Sequence, residues 1–275
     1  MKRTSALNVD FAKQRWSVGP EVHDLSMPLT FGGEQPVFFG VRAAQEQTLR
    51  AGTFTGDVRL GGSCNCSTYS LTPHCNGTHT ECVGHLTKQR ISVRDCCEDA
   101  WSVAVLVSVR ARRTGETDES TDPPPQEGDL LLTRADLEEA VQRCGFSGYE
   151  ALVIRTLPND RSKLKRNYDQ LPAPFFTAQA MQWIVRQNVR HLVVDLPSVD
   201  RANDQGRLTA HRIFWNVPAG ETEISEATRA EATITELAYI DDAVRDGLYL
   251  LNLQVAPFAA DAAPSRPLLL PMKRT

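Results

Sequence analysis

The chain has 275 residues, 41% of them hydrophobic and 23% charged, which excludes a mainly disordered or fibrous protein and suffices for one or two domains. A formal charge of −4 and the lack of any Lys/Arg-rich run exclude a basic field for a nucleic-acid backbone. No apolar run reaches the ~18 residues of a membrane span, and Met1 to Trp16 lacks the apolar core of a signal peptide, so the expectation is a cytoplasmic protein. Seven cysteines, an odd number in a chain of this size, read as reduced, buried core thiols.

Asp24-Leu25-Ser26-Met27-Pro28-Leu29 reads as a short strand breaking into a loop at Gly32-Gly33. Three short β-rich stretches follow, Pro36 to Arg42, Thr53 to Leu60 and Cys64 to Leu71, separated by glycine-containing breaks. The clearest strand is Trp101 to Val109, with valines at 103, 105, 107 and 109 and apolar residues between, a pattern for a central strand buried on both faces. Thr114 to Asp129, with three consecutive prolines, reads as an exposed, flexible insertion within a single domain spanning 1–275.

Thr133 with Asp136 resembles a capping box for a helix carrying Leu137, Ala140, Val141 and Cys144 inward and ending at Gly145. Ala151 to Thr156 returns as a buried strand. Thr177 caps a second helix, through Gln187, and His191 to Leu196 is the next strand, with His191 as a C-terminal cap of that helix. Arg212 to Trp215, Ile234 to Ile240 and Leu248 to Val255 complete the strands, with an insertion around Pro218 to Ala230. Successive helix–strand units imply an α/β fold, a mixed β-sheet core with flanking helices and some parallel pairing.

The chemistry concentrates in His74 to His85, H-C-N-G-T-H-T-E-C-V-G-H, which holds three of the six histidines and a carboxylate. His79 and Glu81, two apart, point to one side of an extended backbone, and a turn at Asn76-Gly77 can bring His74 round to them. Three such ligands leave an open position for water on a catalytic metal ion, with His85 at the rim as proton donor or acceptor. Two other readings stay open: a structural zinc site using the nearby cysteines, although Cys64-x-Cys66 and Cys96-Cys97 lack the usual ligand gap, and a Cys82 nucleophile paired with His85. His211 and Glu236, read from the residues alone, are a strand-edge histidine and a solvated charge. Trp16, Phe38, Phe39 and Trp215 serve as core or as an aromatic wall, and His23 as a structural residue or pocket lining.

The cluster resembles the H-x-G-T-H-x-D-x-P-x-H signature of the cyclase-like metal hydrolase family, which includes kynurenine formamidase and isatin hydrolase. Asp24 to Leu29 is similar to that family's D-[LI]-S-x-P-L, Ala151 to Thr156 to its strand ending in R-T, and Val193-Val194-Asp195 through Asp200, then His211, to a later landmark. The resemblance implies the family's swivelling β/β/α fold, with His74, His79 and Glu81 as metal ligands, His85 as the catalytic acid/base, and His211 and Glu236 completing the site, in binuclear members as ligands of a second metal. It further implies zinc, or manganese, as one or two ions, a small-molecule substrate, and a homodimer or larger assembly. The activity implied is hydrolysis of an amide-type C–N bond, N-formylkynurenine first, with a lactam or lactone, or a non-catalytic metal-binding role, as alternatives. Three positions depart from the signature: Asn76 stands as an extra residue before Gly77, Glu81 replaces Asp, and Val83 replaces proline. An extra residue at Asn76 can either bulge outward or remodel the site, and the additional methylene of Glu81 extends its reach by about 1.5 Å.

Overall fold

Trp101–Arg110 lies at the centre of the molecule, and its alternating valines explain why. Val105, Val107 and Val109 face one hydrophobic cluster and Ala104 and Leu106 another, all of them buried. A strand apolar on both sides can sit only between two covering layers. The computed structural model describes residues 7–275; residues 1–6 of the expected domain lie outside that range.

Eleven strands of the described residues form the main sheet: β1 Asn8–Phe11, β2 Gln14–Val18, β3 His23–Asp24, β4 His79–Glu81, β5 Trp101–Arg110, β6 Ala151–Leu157, β7 His191–Val194, β8 Thr233–Glu236, β9 Gly247–Asn252, β10 Ala262–Pro264 and β11 Leu268–Arg274. Their spatial order is β1-β2-β11-β9-β5-β6-β7-β8-β4-β10, with β3 beside β11. The centre, β5-β6-β7-β8, is parallel, with Leu106 and Val193 both opposite Val153. β9 on one side and β4 on the other run antiparallel.

The helices are α1 Val93–Cys96, α2 Arg134–Cys144, α3 Ala178–Arg186 and α4 Thr209–Trp215. Leu137, Ala140 and Val141 of α2, Ala180, Met181 and Ile184 of α3, and Ala210, Phe214 and Trp215 of α4 join Val105, Ile154, Val194 and Ile234 in one core. The opposite sheet face packs on Leu25, Ala238, Ile240 and Val244 instead, so helices cover one side and loops the other. The two helix starts read from sequence are real caps: the Thr133 hydroxyl accepts from Asp136 N at 3.2 Å and the Thr177 hydroxyl from Ala180 N at 3.0 Å. Gly145, at φ 72°, closes α2 in the left-handed conformation that glycine adopts without strain.

Several expectations fail locally. Pro36 to Arg42 is not a strand; Val37 makes one isolated bridge to Asn167, and positive φ at Phe39 and Gly40 ends the extension. Thr53 to Leu60 contributes only Phe54–Thr55, because Asp57 accepts from Arg59 N at 2.8 Å and starts a 3-10 turn at Val58–Leu60. Cys64 to Leu71 keeps Ser67–Ser70, paired with Gln45–Thr48. Arg212 to Trp215 belongs to α4 rather than to a strand. The Asp200 carboxylate takes the backbone N–H groups of Ala210 (2.8 Å) and His211 (3.1 Å) at its first turn, satisfying donors that an extended segment would pair elsewhere.

The Thr114 to Asp129 segment is tied to both helices. The Glu119 carboxylate accepts from Arg134 N at 2.7 Å, Ala135 N at 3.2 Å and the Thr177 hydroxyl at 2.6 Å. Of the cysteines, Cys75, Cys82 and Cys96 are buried as expected, whereas Cys64 and Cys66 are exposed. No helix among the described residues is long and apolar enough to cross a membrane.

His191 is not a helix cap. It begins β7, is 1% exposed, and its Nδ1 lies 2.8 Å from the Thr233 hydroxyl. Burial, reinforced by the charge of Arg190, lowers its pKa from 6.5 to about 4. The fold therefore favours the neutral ring, so this stabilisation is complete above pH 6.5 and is lost as pH falls toward 4. A shift of that size corresponds to about 3 kcal/mol. Urea unfolding at pH 7.5 and 4.5 should show His191→Phe losing less stability on acidification than wild type; equal losses would remove His191 as the cause.

Candidate metal centre

The site forms where β4 meets β8. Antiparallel register sets His79 opposite Glu236 and Glu81 opposite Ile234, so two segments far apart in sequence deliver an imidazole and a carboxylate to one place. The Thr80 and Thr235 hydroxyls, 2.7 Å apart, tie the strands between these residues. Before β4 the chain turns at Gly77, whose φ of 76° suits glycine, and the Thr78 hydroxyl, bonded by Met27 N at 2.7 Å, anchors the turn to the N-terminal loop.

Glu81, 1% exposed, is the hub. Its Oε2 lies 2.8 Å from His74 Nδ1 and its Oε1 2.8 Å from His211 Nε2. His79 Nε2 lies 3.4 Å from Glu236 Oε2, and His211 Nε2 lies 3.6 Å from Glu236 Oε1. Ligand atoms of His79, Glu81 and Glu236, all buried, lie within 4.8 Å of one another; those of His74, Glu81 and His85 do the same, so Glu81 is shared by two donor groups. The six residues singled out in the sequence thus converge, and neither His211 nor Glu236 is a surface residue: they are 2% and 3% exposed.

Each imidazole is oriented from behind. His79 Nδ1 lies 3.1 Å from Gly77 O, so that nitrogen carries the proton and Nε2 presents its lone pair inward. His211 Nδ1 lies 2.6 Å from Asp200 Oδ2, and Glu236 Oε1 accepts from Val199 N at 2.8 Å. The His211 ring also lies 5.6 Å from that of Trp215, which forms a floor beneath it. Burial opposes ionisation of Glu81, but the charges of His211 and His85 and hydrogen bonds from His211 and His74 outweigh it, holding the carboxyl well below its usual range.

Asp261 went unnoticed in the sequence. Its Oδ2 lies 2.8 Å from His74 Nε2 and 3.5 Å from His85 Nδ1, and the His74 and His85 rings stack 4.3 Å apart. It precedes β10, whose Pro264 is paired with His79. Lying 187 residues from His74, in the apolar stretch Phe258-Ala-Ala-Asp261-Ala-Ala, it carries no local mark of its role. Of the two alternatives for Asn76, the outward bulge is the one not seen: the residue is 3% exposed, and its Oδ1 accepts from Thr72 N at 2.7 Å, closing the turn from within.

A cavity of about 280 Å³ opens on the cluster, walled by Phe38, Phe39, Cys75, Pro197 and Leu208 beside the site residues. Phe38 and Phe39 thus form the aromatic wall, whereas Trp16 packs edge-on against Phe146 in the core. His23 lies outside this cavity, against Tyr249. Arg201, also in the wall, is paired with Asp129 at 3.2 Å. Cys82 donates to Ile91 O and lies outside the wall, and its interaction with Cys96, reinforced by burial, pushes its thiol far up, which opposes the nucleophile reading.

The donor set fits a divalent cation. His79 Nε2 is fully buried with no hydrogen-bond partner, and in a buried site such an atom calls for a ligand. Nitrogen and carboxylate donors, with Gly77 O behind His79 and Asp200 behind His211, suit zinc or manganese and do not choose sharply between them.

The comparisons agree with this architecture. A metal-dependent hydrolase from Bacillus stearothermophilus, described as predicted, superimposes with a TM-score of 0.57 at 16% identity, over 91% of this chain and 98% of that one. Isatin hydrolase A from Labrenzia aggregata, bound to benzyl benzoate, gives 0.62 at 16% identity over 91% and 93%. An isatin hydrolase bound to the product analogue thioisatinate gives 0.58 at 14% over 92% and 93%. At such identities these likenesses establish the fold. No curated protein sequence matches the chain. The Cyclase family model matches residues 23–201, about two thirds of the chain, from the β3 landmark through the His74–His85 cluster to Asp200. The chain belongs to the Cyclase family.

Proposed function

We propose that this protein is a metal-dependent hydrolase of a small aryl amide. The observation that carries the reading is the buried His79–Glu81–Glu236 group with an unpartnered imidazole nitrogen turned into it. A divalent cation bound there would polarise a carbonyl and lower the pKa of water.

His79, Glu81 and Glu236 would hold the ion, with His211 and His74 on either side of Glu81 as further donors. His85 belongs to a different role. Its side chain is 28% exposed, it stands in the cavity wall, and its Nδ1 lies 3.5 Å from the Asp261 carboxylate, which orients the ring to pass a proton to the leaving nitrogen. Asp261 holds His74 and His85 together, so it is a positioning residue.

The substrate body lies against Phe38, Phe39 and Leu208. A cavity of about 280 Å³ suits one aromatic ring or a fused bicycle. N-formylkynurenine and an isatin-type lactam both present such a body. The amino-acid end of N-formylkynurenine also needs a partner, and Arg201 is engaged by Asp129, so the lactam is favoured.

Metal analysis of the purified protein, followed by assays on isatin and N-formylkynurenine with and without chelator, tests this. Hydrolysis that survives complete removal of metal would sink it. His85→Ala is expected to keep its metal while kcat falls by about 10²–10⁴, the usual contribution of a positioned proton carrier. Full activity in that variant would assign the proton transfer elsewhere.

A further inference from the structure

A second cavity, of about 460 Å³, lies at the carboxyl ends of the parallel strands β5, β6 and β7, where Arg110, Leu157 and Leu196 leave the sheet. Open α/β sheets bind ligands at this edge. Leu196 lines this cavity and Pro197 lines that of the metal centre, so the two are adjacent but walled by different residues.

The wall carries four cations, Arg110, Arg113, Lys163 and Arg166, against two carboxylates, Glu116 and Asp195. Lys163 and Asp195 neutralise each other at 2.7 Å, and Lys163 Nζ also donates to Thr156 O at 2.7 Å and to the Thr156 hydroxyl at 2.9 Å. Glu116 accepts from the backbone N–H of Arg113 at 2.8 Å. Arg110, Arg113 and Arg166 therefore face the cavity without a carboxylate ion pair among the described residues.

Two buried donors there lack acceptors. Arg166 Nε has no hydrogen-bond partner, although its Nη2 donates to the Ser162 hydroxyl at 2.7 Å and its guanidinium lies 5.7 Å from the Tyr168 ring centre. The Tyr168 hydroxyl, on a residue 3% exposed, is likewise unpartnered. Burial keeps that phenol protonated, so it remains a donor. Buried donors without acceptors are rare in folded proteins unless a ligand supplies one.

We infer that this cavity binds a small organic phosphate, its phosphate group held by Arg110, Arg113 and Arg166 together with the Tyr168 hydroxyl. Three guanidiniums exceed what the single charge of a carboxylate would balance, whereas a phosphate monoester offers close to two charges and three strong acceptor oxygens. The volume is larger than one phosphate group needs, and Leu157, Pro158, Pro174 and Leu196 supply an apolar side for the ester's body.

Calorimetric titration of the purified, metal-loaded protein with phenyl phosphate tests the site, with inorganic phosphate and benzoate as parallel probes. One phenyl phosphate should bind per chain, more tightly than either other probe. Arg110 and Arg113 are exposed, so Arg110→Ala with Arg113→Ala should leave thermal unfolding unchanged while weakening binding at least about tenfold. Tyr168→Phe, which keeps the ring, should weaken it severalfold. Chelator-treated protein should retain the affinity. Four results would each overturn the proposal: no binding at millimolar phenyl phosphate, unchanged affinity in the double arginine variant, loss of binding with the metal, or equal binding of inorganic phosphate or benzoate.

Discussion

Replacing His79 with alanine is expected to leave the protein without its divalent cation and to lower kcat/KM by at least about 10³, roughly 4 kcal/mol of transition-state stabilisation. His79 is wholly buried, and Gly77 O orients its ring so that Nε2 stands within 4.8 Å of the Glu81 and Glu236 carboxylates. Without that nitrogen a cation would keep the carboxylates but lose an inward donor already oriented by the turn. Elemental analysis of the variant, alongside circular dichroism to show that it folds, checks the outcome. A full complement of metal in folded His79→Ala would refute the assignment of His79 as a ligand.

The largest effect on stability is expected from Lys163→Met. Lys163 Nζ and Asp195 Oδ2 are 2.7 Å apart, with side chains 4% and 0% exposed. Burial pushes the Asp195 carboxyl up, and the charge of Lys163 with the Thr156 N–H offsets only part of that. Removing the ammonium leaves a buried carboxyl without its counter-charge, at a cost of about 3–5 kcal/mol. Urea denaturation gives the value. Adding Asp195→Asn should recover part of it, because the charge is removed from both sides; a loss below about 1 kcal/mol in the single variant would mean that the pair is unimportant to the fold.

These two sites differ in how they are written in the chain. The cluster His74 to His85 could be read directly, because three imidazoles and a carboxylate within twelve residues form a local signal. The same holds for β5, where valines alternate, and for α2, where Thr133 and Gly145 mark both ends. The Lys163–Asp195 pair gave no such signal, since nothing near either residue indicates that β6 and β7 will bring them together.

Short apolar runs were the weakest ground. Ile213-Phe214-Trp215 suits a strand or a buried helix equally by pattern, and the deciding interaction is the Asp200 carboxylate on the N–H groups of Ala210 and His211. Phe38-Phe39 reads as a strand by composition but bends at Phe39 and so presents both rings at the cavity wall.

The sequence by itself determined the family and the mixed α/β class and marked His74, His79, Glu81 and His85 as a local cluster, because motif, periodicity and capping act over a few residues; His211 and Glu236 entered only through the family resemblance. Tertiary structure decided the rest. Pairing of β4 with β8 set Glu236 against His79, the start of α4 swung His211 onto Glu81, and the loop before β10 delivered Asp261 to His74 and His85. Each of these contacts joins residues more than a hundred positions apart, and only sheet register and core packing fix such distances.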